Sequence, residues 1–435
     1  MTEQKTRRQP GPWRVAVVAG MASYIDAAAL ISFGIAIVIY QAAFGLAADQ
    51  VGVLAGAITF GVAVGALAGG RLGDRFGRRP VFSVTMLMII GGAALLVTTD
   101  SFVPLLVGTL LVGVGTGADL PVSLSTISEA ADDENRGRMI SFSNVLWIAG
   151  VLVAIILSTV VGNLGRLGGQ ILFAHVGIVA AVVLIARLSI PESLVWLAAR
   201  EERAKGLHTA RASRSSVSSL FRKPYRAPLI VLVVFYSLVN LAANTGGQFG
   251  TYMLVNYAGL DVSSASLFGL IAMPVLMLSY FWFMRVADGP RRFTYFTVGA
   301  VLYVVSLLVP VIFGFSATTY IVSGVLGAVG AGFAFETVMK VWAQESFPTL
   351  IRSTAQGTIL AVARFVAAIL ATFTPMLLTS GPSALYLFLA GVTAVGMAVA
   401  WFGFRNRDQH NEFDTEQLTD GTAAAAPAAS SATFH

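Results

Sequence analysis

The chain contains no cysteine and only four histidines in 435 residues. The first absence excludes a disulfide framework and a thiolate metal site; the second leaves scattered imidazoles, too few for a histidine-built metal centre. Charge is scarce as well. Asp, Glu, Lys and Arg make up 11% of the residues, less than half of the ~25% usual in soluble domains. There is no phosphate loop, no H-E-x-x-H motif and no soluble segment large enough to carry chemistry, so neither an enzyme nor a cofactor nor a metal is expected. The little charge present leans to one sign, net +6. Its distribution reads as membrane orientation rather than as a nucleic-acid footprint.

What fills the chain is apolar: 56% of residues are hydrophobic, and 44 are glycine. Runs of roughly 20 apolar residues span about 30 Å of hydrocarbon, and small residues let such helices approach closely. Spans are expected at 14–40, 51–70, 81–98, 103–128, 139–161, 170–190, 228–256, 264–286, 294–314, 318–344, 354–379 and 382–404. Twelve spans put Lys5, Arg7, Arg8, Arg14, the Arg71–Arg79 run, Arg136, Arg138, the Arg200–Arg226 stretch, Arg285, Arg291, Arg292, Arg352, Arg405 and Arg407 on one side, with Arg166 alone opposite. An odd count scrambles that segregation. Basic loops face the cytoplasm, so both termini are expected inside the plasma membrane.

The organisation follows: a cytoplasmic N-terminus (1–13) with no cleaved leader, a six-helix half (14–190), a basic, Ser-rich linker (191–227), a second six-helix half (228–404) and a tail (405–435) whose Ala/Ser-rich composition cannot order itself. The halves repeat. Glu129-x6-Arg136 and Glu345-x6-Arg352 each follow a long apolar helix and lie 216 positions apart. Asp74 in "GRLGDRFGRRP" and Asp288 in "RVADGPRR" lie 214 apart. Duplicated halves are a common build for transporters, with the site at the midplane between them.

These motifs resemble the major facilitator superfamily and, within it, the sugar porters. "GRLGDRFGRR" is similar to the superfamily's loop between its second and third helices, Glu-x6-Arg to the sugar porters' paired motif, and Pro191-Glu192-Ser193 to the start of their signature after the sixth helix. The resemblance implies an all-α membrane protein of twelve helices in two pseudo-symmetric halves. It also implies an inner salt-bridge gate from Asp74, Arg78, Arg79, Glu129, Arg136 and Glu192 with Asp288, Arg292, Glu345 and Arg352. The family's paired glutamines of the seventh helix are absent, and "FETVMKVW" replaces its Pro-Trp in the tenth. "NLAANTGGQFG" and "KVWAQESFPTLIRSTAQG" look like a bacterial subgroup for inositol-type uptake, which points to a polyol.

Ionisable groups within spans cost about 2.5–3.5 kcal/mol each on insertion scales, so each is a functional candidate. Asp26 has no helical partner one turn away; its position resembles the aspartate through which proton-coupled porters couple. Asp119 and Arg364 are the other proton-coupling candidates. Glu336 and Lys340, at i and i+4, share a face as either a structural pair or substrate ligands. Asn240, Asn244 and Gln248 form an amide stripe on the seventh helix, either helix–helix glue or a polyol site. Asn144, where the family has a substrate-binding glutamine, and Trp147 add to that site. Tyr280 and Trp282 read as interface anchors or site aromatics. The expected function is proton-coupled uptake of a polyol or monosaccharide, inositol-like, by a monomer in the bacterial inner membrane. The rivals are a uniporter, a symporter of another small metabolite, and a non-transporting membrane sensor.

Overall fold

The computed structural model describes residues 11–130, 136–192, 223–286, 289–347 and 349–406, and the isolated positions 197, 201 and 221. Among the described residues the chain is all-α. The first half comprises α1 (Pro12–Phe44), α2 (Ala48–Phe76), α3 (Arg78–Thr98), α4 (Phe102–Ala130), α5 (Arg136–Val161) and α6 (Arg166–Leu188). The second comprises α7 (Arg226–Ala258), α8 (Val262–Val286), α9 (Arg292–Ile312), α10 (Ala317–Ala334), α11 (Glu336–Ser346), α12 (Thr349–Leu378) and α13 (Pro382–Phe404). Eleven spans are long and apolar throughout, and α5 adds the shorter apolar stretch Val145–Val161. That makes twelve, since α10 and α11 share one span.

The packing is two-fold. In the first half α1 packs on α5 and α6, α4 on α2 and α3, and α3 on α6. In the second, α7 packs on α12 and α13, α10 on α8 and α9, and α9 on α13, the same scheme six spans later. Between the halves α2 meets α12, its symmetry mate α5 meets α8, and α1 meets α7. The repeated motifs build the same ion pair twice: Arg78 to Glu129 at 2.7 Å, and Arg292 to Glu345 at 2.7 Å.

Glycine makes the crossings possible. Gly61, Gly65 and Gly69 recur every turn of α2 and face α4; a Cβ on Gly65 would stand 2.3 Å from the Val114 carbonyl oxygen and one on Gly69 2.2 Å from that of Ala118. In hydrocarbon, where no hydrophobic effect drives helices together, such close backbone contact is what holds them. Gly77, at φ 99°, turns the chain between α2 and α3, a left-handed conformation that suits glycine.

One span departs from expectation. Residues 318–344 read as a continuous helix, yet the chain breaks at Phe335 (φ −122°, ψ −113°). Gly332 abuts Ser279 of α8. Thr337 Oγ1 donates back to the Gly332 carbonyl at 2.8 Å, satisfying a group freed by the break. Phe335 stacks on Tyr236 of α7 at 5.2 Å. A new helix end is thereby created inside the span, and Glu336 occupies its first turn, where a carboxylate is favoured by the helix dipole.

Gly65→Leu is expected to force α2 off α4. Overpacking of this kind costs about 1–3 kcal/mol or more, and here backbone, not a flexible side chain, stands in the way. The expected result is a lower melting temperature and a loss of monodisperse protein in detergent, while Gly70→Leu, where a side chain meets open space, stays near the parent.

Candidate translocation site

Asp26 lies midway along α1 and is 2% exposed. α1 approaches α5 at Gly150, where a Cβ would stand 2.4 Å from the Tyr24 carbonyl. That approach sets Trp147, one turn earlier on α5, beside Asp26. Asp26 Oδ1 is buried without a hydrogen-bond partner among the described residues. The cation whose field acts on it is Arg364 of α12, in the other half. Arg364 is half-buried and makes no ion pair among the described residues. Of the predicted groups, Asp26 and Trp147 are thus neighbours in one half, and Arg364 acts on Asp26 electrostatically from the other.

On the second half's side, Glu336 and Lys340 form an ion pair at 2.7 Å, with side chains 38% and 41% exposed. The Glu336 carboxylate acts electrostatically on the hydroxyls of Tyr236 and Tyr280, and Arg364 on that of Tyr236. Tyr280 therefore belongs to this cluster, whereas Trp282 is largely exposed against Phe333. Tyr236 escaped the sequence reading. It stands four residues before Asn240, so it begins the stripe that Asn240, Asn244 and Gln248 continue.

The stripe divides in function. Gln248 is 7% exposed, and its amide donates to the Ala55 carbonyl of α2 at 3.0 Å, across the two halves. Gly34 of α1 lies against the Gln248 backbone, so the crossing is tight. Asn244 donates to Gln248 Oε1 at 3.4 Å. Only Asn240 is half-buried with no side-chain hydrogen bond among the described residues. Gln248 is glue at this crossing, while Asn240 remains available near Tyr236. Asn144 lies in α5, but its side chain falls outside the described residues.

Asp119 has a partner that the sequence reading missed. Arg187, near the end of α6, grips it with both terminal nitrogens: Nη1 contacts Oδ1, and Nη2 meets Oδ2 at 2.9 Å. Thr85 Oγ1 donates to the carboxylate at 3.1 Å, Ser123 Oγ at 3.4 Å, and Arg187 Nη2 also reaches Ser123 Oγ and the Ala19 carbonyl. The guanidinium lies 4.3 Å from the Phe82 ring centre. Asp119 and Arg187 are 1% and 2% exposed. This neutral, bidentate knot ties α1, α3, α4 and α6 together. Of the two candidate proton-coupling carboxylates, it leaves Asp26 as the one without an ion pair among the described residues.

At the basic face the ion pairs that the described residues make each lie inside one half. Arg78 pairs with Glu129, and Arg292 with Glu345. Glu192 accepts from the backbone N–H of Arg78 at 2.8 Å and of Arg79 at 3.2 Å, so its carboxylate closes the amino end of α3. Arg79 Nη2 donates to the Leu188 carbonyl. Among the described residues the gate candidates make one such bracket in each half. Asp74, Arg136 and Arg352 have side chains outside the described residues, and Asp288 is outside them altogether.

The model of the family described as "Sugar (and other) transporter" matches residues 13–215. The minor myo-inositol transporter IolF of Bacillus subtilis (strain 168) is 32% identical over 393 residues, 88% of each chain. Among solved structures, the fold matches a D-xylose–proton symporter with TM-score 0.74 at 16% identity, covering 89% of this chain and 97% of that one. It matches the inward-open xylose transporter XylE from E. coli with TM-score 0.74 at 17% identity, covering 94% and 99%. The 32% identity over 88% of both chains makes this multi-pass membrane protein, with its duplicated twelve-span fold, a member of the sugar (and other) transporter family of the major facilitator superfamily.

Proposed function

We propose that the chain carries a polyol of inositol type, or a related monosaccharide, into the cell together with a proton, by alternating access of its two halves. The single observation that carries this reading is Asp26. It is a buried mid-span carboxylate with an oxygen unpartnered among the described residues, facing a cation that belongs to the opposite half. When ionised, Asp26 attracts Arg364 and holds α1 to α12. A proton removes that attraction and frees the halves to change position, so proton loading and the conformational step become linked. The membrane potential adds about 2.3 kcal/mol per charge per 100 mV to such a cycle.

Asn240, Tyr236, Tyr280 and Trp147 supply donors, acceptors and flat apolar faces, the mixture that suits a hydroxyl-rich ring. Glu336 and Lys340 neutralise each other at the rim of this set and so favour an uncharged ligand. The myo-inositol transport of the 32% identical relative agrees with that chemistry. The basic face is taken as cytoplasmic, with both termini inside the bacterial plasma membrane. The halves, 14–190 and 228–404, rock as two bodies joined by the linker 191–227, and the gate residues are read as meeting across the basic face when that face closes.

Asp26→Asn is expected to abolish accumulation of radiolabelled myo-inositol driven by a proton gradient in proteoliposomes, while counterflow exchange survives. Accumulation at the parent's level would sink the assignment. Asp119→Asn is expected to act differently. Removing one partner of a buried ion pair typically destabilises by about 3–5 kcal/mol, so this variant should melt well below the parent. Normal melting combined with lost accumulation would instead make Asp119 the proton site.

Asn240→Ala is expected to weaken myo-inositol binding roughly two- to tenfold, the worth of one hydrogen bond to a neutral hydroxyl, with the melting temperature unchanged. Gln248→Ala should lower the melting temperature and leave calorimetric affinity within about twofold of the parent, by the same arithmetic. The reverse pattern would exchange their roles.

A further inference from the structure

Two loops meet on the face opposite the basic one, one from each half. Residues 162–165 join α5 to α6, and 259–261 join α7 to α8. Gly162 lies so close that a Cβ on it would stand 3.0 Å from Val262 Cγ1 and 3.2 Å from the Ser263 nitrogen. Beside it, Asn163 Nδ2 donates to Asp261 Oδ1 at 2.8 Å, and Asn163 Oδ1 accepts from the Ser263 N–H at 3.3 Å. Asp261 is itself held by Ser264, whose N–H donates to Oδ1 at 3.0 Å and whose hydroxyl donates to Oδ2 at 2.6 Å. One carboxylate thus caps α8 and receives a hydrogen bond from the other half.

We propose that Asn163 and Asp261 form a latch that holds the two halves together at the face opposite the basic one and must release before that face opens. Its assignment as the outer latch of the transport cycle rests on the orientation proposed above; the latch itself does not. The amide suits the task. It donates to one half-shell and accepts from the next residue but one, so a single side chain makes both cross-half bonds. Both partners sit on short loops at helix ends, where a small rotation of one half separates them. Gln248 and the Ala55 carbonyl make a second link between the halves, inside the membrane, so the latch is the part that meets water.

The hydrogen bonds also hold the Asp261 carboxyl down at about 2, those from Ser264 contributing most and that from Asn163 next; no neighbouring charge contributes. A carboxyl depressed in this way keeps its bonded, ionised form at every pH above the ordinary carboxylate range and loses it only as pH falls toward 2. The latch is therefore indifferent to the mildly acidic outside that drives proton entry.

The absence of cysteine makes the test direct. Thr372→Cys places the only thiol of the chain on α12, at the tight crossing where Thr372 lies against Gly52 and Gly56 of α2. In oriented vesicles, with no substrate and no proton gradient, an impermeant maleimide is added from the side opposite the basic face. In this background Asn163→Ala, which leaves the α8 cap intact, is expected to raise the labelling rate about threefold or more, and Asn163→Asp, which sets two carboxylates against each other, about tenfold or more. Rates within twofold of the parent for both single variants would overturn the latch. Because neither substrate nor protons enter the measurement, failure of the transport reading leaves its outcome untouched.

Discussion

An ionised side chain deep in this protein has no water to turn to, and moving it there uncompensated is costly enough that almost every such charge must carry its partner with it. The described residues obey that constraint in two ways. Asp119 with Arg187, Arg78 with Glu129, Arg292 with Glu345 and Glu336 with Lys340 are each neutralised inside one half. Asp26 and Arg364 are not: each sits in a different half and feels the other across the space between them. The paired charges keep each half rigid. The divided pair makes the energy of the molecule depend on where the halves stand.

The duplication distributes these tasks evenly and then departs from evenness where work is done. The Arg–Glu bracket is the same in both halves, to the same 2.7 Å. The seams between halves differ. The α2–α12 seam is made by glycines that bring backbones into contact, while at the end of the α5–α8 seam away from the basic face Gly162 packs beside the polar link of Asn163 and Asp261. The tenth span is broken at Phe335, whereas its counterpart α4 runs unbroken from Phe102 to Ala130. One half is thus a nearly regular scaffold, and the other presents a helix end to the candidate site.

Much of the fold was legible because it depends on composition: span number follows from apolar runs and from the side on which arginines fall, and the repeat from two motifs at nearly one offset. The buried knot at Asp119 was not legible. Arg187 lies near a span's end, where a lone arginine looks like one more cytoplasmic charge, and only the tertiary packing of α6 on α3 and α1 turns it inward. Nor was the break at Phe335, since "GAGFAFET" holds no proline and the distortion answers to the close approach of α8. The amide stripe was legible as polar, but the difference between its members was not. Gln248 faces a backbone carbonyl of another half, a fact that no spacing along α7 contains.

The break has a mechanical consequence. Freed from α10, α11 is a stiff rod of 11 residues. Glu336 lies at one end, among the tyrosines of the site. Glu345 lies near the other, clamped to Arg292 at the basic face, with Trp342 between them stacked on Phe404 at 4.2 Å. Nine residues of helix separate the two carboxylates by about 13–14 Å at 1.5 Å per residue. A rod of that length bends little, so a tilt at its upper end reappears at its lower end as a displacement of the bracket. The geometry of the candidate site and that of the basic face are in this way two readings of one lever's angle.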